Sequence, residues 1–483
     1  MRIQVILNIL GILLALFSTS LLPPLALSLI YSDNTTTAFL VAYLVTLATG
    51  LACYLPTRRQ GRDLRLRDGF LIVVLFWTVL ASFGALPLFL SNNPAMGLTD
   101  AFFESMSGRT TTGATVLVGI DDLPISIRYY RQQLQWLGGM GIVVLAVAVM
   151  PMLGIGGMQL YRAETPGPIK NSKLTPRITE TAKSLWYIYL GLTVACAIGY
   201  WLAGMTVFDA IGHSFSTVAI GGFSTHDASI GFFDSPLIAA VASVFMIAAG
   251  MNFALHFLAL RQRSFLVYLQ DTEVRVFLGF LLLVTVLTCG VLWSTNTFSD
   301  ATTTLWHGIF QVISIGTTTG FTTSGFHWWP SLLPVLLILM SGIGGCAGST
   351  AGGVKVIRMI LLYKQGRREI NQLIHPSAFF PIKLGGKPVP DNVINAIWGF
   401  FALYIFSYLL LSLAMTATGA DPLTAFSAVT ACLNNLGPGL GVVAKNYAAI
   451  DPAGKWILSG AMLMGRLELF TLLVLLTPAF WRS

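Results

Sequence analysis

Four short segments hold the groups best suited to chemistry. They read TTTGAT (110–115), IGGFST (220–225), TTTGFTT (317–323) and NNLGPGLG (434–441). Gly113, Gly222, Gly320 and Gly437 align, at separations of 109, 98 and 117 residues. The residues before them do not match: Thr111 and Thr112, Ile220 and Gly221, Thr318 and Thr319, Asn435 and Leu436. Hydroxyl chemistry is therefore unequal among the four, whereas main-chain carbonyls are available in all. Glycine reaches backbone shapes closed to most residues and puts no side chain into a narrow passage. Successive carbonyls can then replace the water around a cation. One such glycine alone reads as a tight turn; four in equivalent settings point to a shared site.

Each glycine ends a helix-compatible stretch that contains an aromatic: DAFFESMSGRTTTGAT (100–115), DAIGHSFSTVAIGGFST (209–225), WHGIFQVISIGTTTGFTT (306–323) and AFSAVTACLNNLGPGLG (425–441). The stretches are too short or too polar to cross a bilayer. Each interval between them has room for a returning helix, a connection and the next outward helix, which suggests duplicated units. Irregular loops at membrane depth cannot face lipid, but they can line a water-filled cavity.

The surroundings fit a membrane. Of 483 residues, 55% are hydrophobic and only 10% charged, against about 25% charged in soluble domains. Mean hydropathy is +0.75. Apolar runs near the length of about 20 residues that crosses a bilayer fall at 4–30, 37–55, 69–91, 133–159, 184–205, 235–260, 275–295, 330–363, 394–418 and 454–478. The first is read as a retained helix, not a cleaved leader. Arg58 to Arg67, Arg162 to Arg177, Arg261 with Arg263, and Lys364 to Lys387 all fall on one side of a ten-span chain. Arg109, Arg128, Arg131, Lys445 and Lys455 fall on the other. The positive-inside tendency places both termini in the cytoplasm. The same distribution accounts for the net charge of +8 without a nucleic-acid partner. The five cysteines are scattered and suggest neither a disulfide framework nor a metal cluster.

FFESMSGRTTTGAT, HSFSTVAIGGFSTHD, TTTGFTT, NNLGPGLGVV and GGCAGSTAGGVKVIR together resemble segments of the Trk/Ktr/HKT superfamily of potassium-uptake proteins, most closely its bacterial TrkH/TrkG type. The resemblance covers essentially the whole chain. It implies an all-α polytopic fold with four pseudo-symmetric outer-helix, pore-helix and inner-helix units around one pore. The expected divisions are two leading helices in 1–57 and pore units in 69–160, 178–262, 273–365 and 391–483. K+ is the implied transported and filter-bound ion, held by carbonyls of Thr111, Thr112, Gly113, Ile220, Gly221, Gly222, Thr318, Thr319, Gly320, Asn435, Leu436 and Gly437. Four filter glycines imply preference for K+ over Na+. No organic cofactor is implied. A homodimer in the lipid of the bacterial inner membrane, and a cytoplasmic TrkA-type nucleotide-binding subunit, are the implied partners. Connections 161–177 and 364–390 are the expected docking surfaces.

Residues 341–353, SGIGGCAGSTAGG, hold six glycines within the long span 330–363. Close packing is one reading; an interrupted helix facing the cavity is the other. The matching family segment resembles an intramembrane gate, here Gly344, Gly345, Cys346, Ala347, Gly348, Ser349, Thr350, Ala351, Gly352 and Gly353. Arg466 lies inside the last apolar span, where a charge is costly and faces protein or water. Family similarity puts it beneath the filter, against the gate; a structural anchor is the alternative. Glu468 is two residues away and points to another helical face. Glu104 and Asp227 are candidate cation attractors at the outer mouth, with Arg109 near them. His213 and His226 read as packing or local hydrogen-bonding groups. No phosphate loop or nucleophile–base pair supports an enzyme. A secondary transporter coupling K+ to H+ or Na+ is the standing functional alternative.

Overall fold

The computed structural model describes residues 3–58, 66–141 and 178–482. Residues 142–160 of the expected first unit, the connection 161–177, and Arg59, Arg62 and Arg65 lie outside the described residues. The described residues are all-α apart from a hairpin pairing Lys383–Leu384 with Lys387–Pro388.

Two leading helical segments, Ile3–Tyr31 and Thr36–Thr57, pack closely through Gly11 and Gly50. A Cβ on Gly11 would sit 2.7 Å from the Gly50 carbonyl oxygen, so only glycine allows this approach. The pair is tied to the rest of the chain at Asp33, whose carboxylate accepts the Ser126 N–H at 3.0 Å.

Four units follow. Their outer helices lie within Arg67–Leu90, Lys183–Leu202, Thr272–Ser294 and Asp391–Ala417, each long and apolar enough to cross a membrane. Their short helices are Leu98–Arg109, Val207–Ala219, Ala301–Gly316 and Pro422–Leu433. At about 1.5 Å per residue these 12 to 16 residues span roughly 18 to 24 Å, short of the ~30 Å hydrocarbon core. Three begin at side-chain caps: Thr206 accepts from Asp209 N–H, Asp300 from Thr303 N–H and Asp421 from Thr424 N–H. The caps satisfy donors that a helix start leaves unpaired.

The inner helices differ from the straight spans expected at 235–260 and 454–478. Pro236–Gly250 turns by 97° into Phe253–Gln262, and Pro452–Arg466 by 118° into Phe470–Leu476. The first bend is held by Asn252, whose side chain caps the second helix at Ala254 N–H, 2.8 Å away. The second passes through Glu468 and Leu469, both with left-handed φ of 54° and 50°. In the third unit Leu333–Met340 and Val356–Ile374 are separated by the loop 341–355. This is the interruption that the glycine-rich run predicts.

Candidate functional site

The four glycine loops leave their short helices in the same way. Thr111, Ile220, Thr318 and Asn435 take left-handed φ of 55°, 55°, 66° and 54°. Their N–H groups donate back three residues, to Gly108, Thr217, Ile315 and Cys432. The next N–H donates back five, from Thr112, Gly221, Thr319 and Leu436 to Ser107, Ser216, Ser314 and Ala431, at 2.8 to 2.9 Å. These are the paired bonds of a Schellman helix end, repeated four times on dissimilar sequences. Glycine usually takes the left-handed position; a β-branched residue there costs about 1–2 kcal/mol, and three of the four are Thr or Ile.

The glycines return to left-handed φ, 80° at Gly113, 78° at Gly222, 85° at Gly320 and 95° at Gly437. Alternation of handedness turns successive peptide groups to one side of the chain. A methyl group on Gly113 would collide with the Gly221 carbonyl oxygen, one on Gly222 with that of Thr319, and one on Gly320 with that of Leu436. One on Gly437 would lie 2.7 Å from the Thr112 oxygen. The contacts run from unit one to two, three, four and back to one, so the loops form a closed ring in chain order. All four glycines also line a single cavity of about 620 Å³, with Asp227, His226 and Lys445 on its wall.

The carbonyls of Thr111, Thr112, Ile220, Thr318, Thr319, Asn435 and Leu436 accept no hydrogen bond from the described residues, although each residue is at most 1% exposed. Buried carbonyls are rarely left without a partner. Gly221 and Gly437 differ: their carbonyls accept from Gln135 Nε2 at 2.5 Å and Tyr447 Oη at 2.7 Å. These two groups brace the ring through its own carbonyls. Asn435 Nδ2 also spans adjacent units, reaching Thr112 Oγ1 at 3.0 Å.

The loop 341–355 lies against the ends of the short helices. Gly352 N–H donates to Thr318 Oγ1 at 2.7 Å, Gly353 N–H to Asn434 O at 3.2 Å, and Thr350 Oγ1 to Val218 O at 3.0 Å. Cys346 is fully buried and its N–H donates to Gly250 O. Glu273 Oε1 accepts from Ala347 N–H and Ile357 N–H at 2.8 and 3.0 Å, holding the middle of the loop and the helix that follows it. Arg466 donates to Thr350 O at 3.2 Å and Gly138 O at 2.9 Å. The loop thus contacts units two and four directly and reaches unit one through Arg466. Glu468 pairs with Arg358 instead.

Two residues expected at the mouth are elsewhere. Glu104 is fully buried behind the ring, ion-paired to Arg131. The Arg109 guanidinium packs among Phe17, Phe76 and Trp77, with centroids 5.3 to 5.8 Å away. Helical register, which sequence distance from the glycine does not convey, turns both inward. Asp227 does line the cavity, and its carboxylate accepts Gly119 N–H. His213 bonds Asp209 O and Ser224 Oγ, both at 2.9 Å. His226 bonds the Asp121 carboxylate and lies 3.3 Å from that of Asp209. Sequence reasoning missed Gln135, Tyr447 and Glu273 as braces; the signal was a polar residue within or beside an apolar helix, Gln135 and Glu273 on helices and Tyr447 in the connection before the last inner helix.

Comparison with known proteins decides the family. The model of the TrkH family, described as a cation transport protein, matches residues 35–483. The chain belongs to the TrkH family. It is 56% identical over 483 residues, all of both chains, to the Trk system potassium uptake protein TrkH of Salmonella typhimurium. Identity to TrkG of Escherichia coli, also a Trk system potassium uptake protein, is 40% over 482 residues, covering 100% of this chain and 99% of the relative. The crystal structure of the potassium transporter TrkH from Vibrio parahaemolyticus superposes with a TM-score of 0.91 at 52% identity, covering both chains completely. As a TrkH-family member with this many apolar helices, the chain is a multi-pass protein of the bacterial inner membrane and a transporter, not an enzyme.

Proposed function

We propose that this chain conducts K+ selectively across the inner membrane through the ring formed by its four glycine loops. The observation that carries the reading is the cyclic contact of those loops around one cavity, with seven buried carbonyls that accept from no donor among the described residues. The short helices add to it. Their carboxyl ends, at Arg109, Ala219, Gly316 and Leu433, all meet the ring, and each carries about half a negative charge. A dehydrated cation is stabilised there by fixed dipoles that need no reorganisation. Potassium is the ion named for the relatives.

On this reading the 620 Å³ cavity is the outer vestibule and both termini are cytoplasmic. The loop 341–355 is the gate, because it lies across the inner face of the ring and is glycine-rich enough to rearrange. Arg466 places a positive charge beside that gate, a barrier to a cation until the loop and the arginine move together. A second copy of the chain and a TrkA-type nucleotide-binding subunit at the 364–390 surface complete the assembly. Coupling of K+ to H+ or Na+ remains the rival mechanism. Reversal potentials of the reconstituted chain, with K+, Na+ and H+ gradients varied separately, separate the two. The expected potential follows K+ alone; a shift with the H+ or Na+ gradient at fixed K+ favours coupling.

A further inference from the structure

We propose that Glu104 and Arg131 are positioning residues that set discrimination between K+ and Na+ by clamping the first and second loops where they leave the ring along the cavity wall. The proposal rests on the pore reading above. Glu104 lies in the first short helix and Arg131 in Ile125–Gly139. Their side chains are 0% and 1% exposed, and Arg131 Nε donates to Glu104 Oε1 at 2.8 Å.

A buried ion pair is favourable only when its remaining lone pairs and protons are also used. Here they are used on the two loops. Glu104 Oε2 accepts Val116 N–H at 2.9 Å, and the Thr115 hydroxyl lies 2.9 and 3.1 Å from the two carboxylate oxygens. Arg131 Nη2 donates to Thr115 Oγ1 and Nη1 to Ser224 O, both at 3.1 Å. The guanidinium also stacks 4.3 Å over the Phe223 ring. Thr115 and Val116 follow Gly113 closely; Phe223 and Ser224 follow Gly222 directly. One rigid fork therefore fixes how two neighbouring loops leave the ring. The third and fourth loops are held by neutral groups, Ser314 Oγ on Phe321 O and Tyr447 Oη on Gly437 O.

K+ and Na+ carry the same charge, so a carbonyl ring separates them by spacing and oxygen field. A planar guanidinium makes its contacts in fixed directions that lysine cannot reproduce. Loosening this clamp lets the first two loops adapt to the smaller ion.

The test uses the full-length chain in liposomes, with the K+/Na+ permeability ratio read from reversal potentials. Size-exclusion profile and thermal midpoint establish that each variant is folded. Glu104→Gln and Arg131→Lys are each expected to lower the ratio about tenfold. In Glu104→Gln/Arg131→Met the uncompensated positive charge near the vestibule is gone, so K+ flux recovers relative to Glu104→Gln while the ratio stays low. A folded single variant with the wild-type ratio overturns the proposal. So does full selectivity in the double variant, which would reduce the pair to charge balance. If Glu104→Gln does not fold, Arg131→Lys decides by the same readout. A wild-type chain that does not favour K+ would overturn the pore reading itself, a separate outcome.

Discussion

At the residue scale, the four aligned glycines are not equally tight. A Cβ at Gly113, Gly222 or Gly320 meets a neighbouring carbonyl oxygen head-on, whereas at Gly437 the approach is 2.7 Å. All four have φ values that cost a non-glycine residue about 1–2 kcal/mol. Alanine at Gly437 is therefore expected to lose less K+ selectivity than alanine at the other three, measured as a permeability ratio per folded protein. Equal losses would mean that backbone conformation, and not collision with the next loop, dominates. The positions of these glycines were legible in the sequence because short helical stretches and glycine recur at similar distances. The left-handed residue two positions earlier was not: Thr111, Ile220, Thr318 and Asn435 share a conformation without sharing a side chain. Glu104 shows the opposite limit. Its charge was visible, but its burial against Arg131 depends on which face of its helix meets the inner helix.

At the element scale, one oxygen of Glu273 ties the middle of the loop 341–355, at Ala347 N–H, to the start of the helix that follows it, at Ile357 N–H. Loss of that acceptor leaves two partly buried N–H groups unpaired, each at a cost below the ~1–3 kcal/mol of a fully buried one. Glu273→Ala is expected to raise K+ flux of the isolated chain in liposomes by loosening the loop. Glu273→Gln keeps an amide oxygen for the same bonds and is expected to stay close to wild type. The glycine content of 341–353 marked the interrupted helix in advance. The bends after Gly250 and Arg466 were not marked: their flanking sequences are apolar enough to read as single spans, and Asn252 is an ordinary residue until its capping role is seen.

At the scale of the whole molecule, adjacent units are also joined at the vestibule rim. His226 of the second unit bonds Asp121, from the loop that follows the first glycine. Burial pulls the His226 pKa down, but hydrogen bonds to the Asp209 and Asp121 carboxylates outweigh it and raise the value above 6.5. Burial raises that of Asp121, and the bonds from His226 and Asp227 N–H outweigh it, so it falls below 3.8. His213, the parallel ring 6.5 Å away, is the other titratable neighbour. A raised histidine pKa stabilises the fold fully below the unfolded value and is lost as pH rises through the folded one. A lowered carboxylate pKa acts in the opposite direction, below 3.8. The link is thus intact between pH 3.8 and 6.5 and weakens on the alkaline side. The thermal midpoint is expected to fall as pH rises above 6.5, and His226→Gln is expected to flatten that slope. Four-unit closure from a single polypeptide has one more consequence. Among the described residues, the extended loop 341–355 belongs to the third inner helix alone, so on the pore reading the passage opens as a trapdoor with one leaf, not as an iris. One displaced arm suffices, and no concerted rearrangement of four equivalent parts is required.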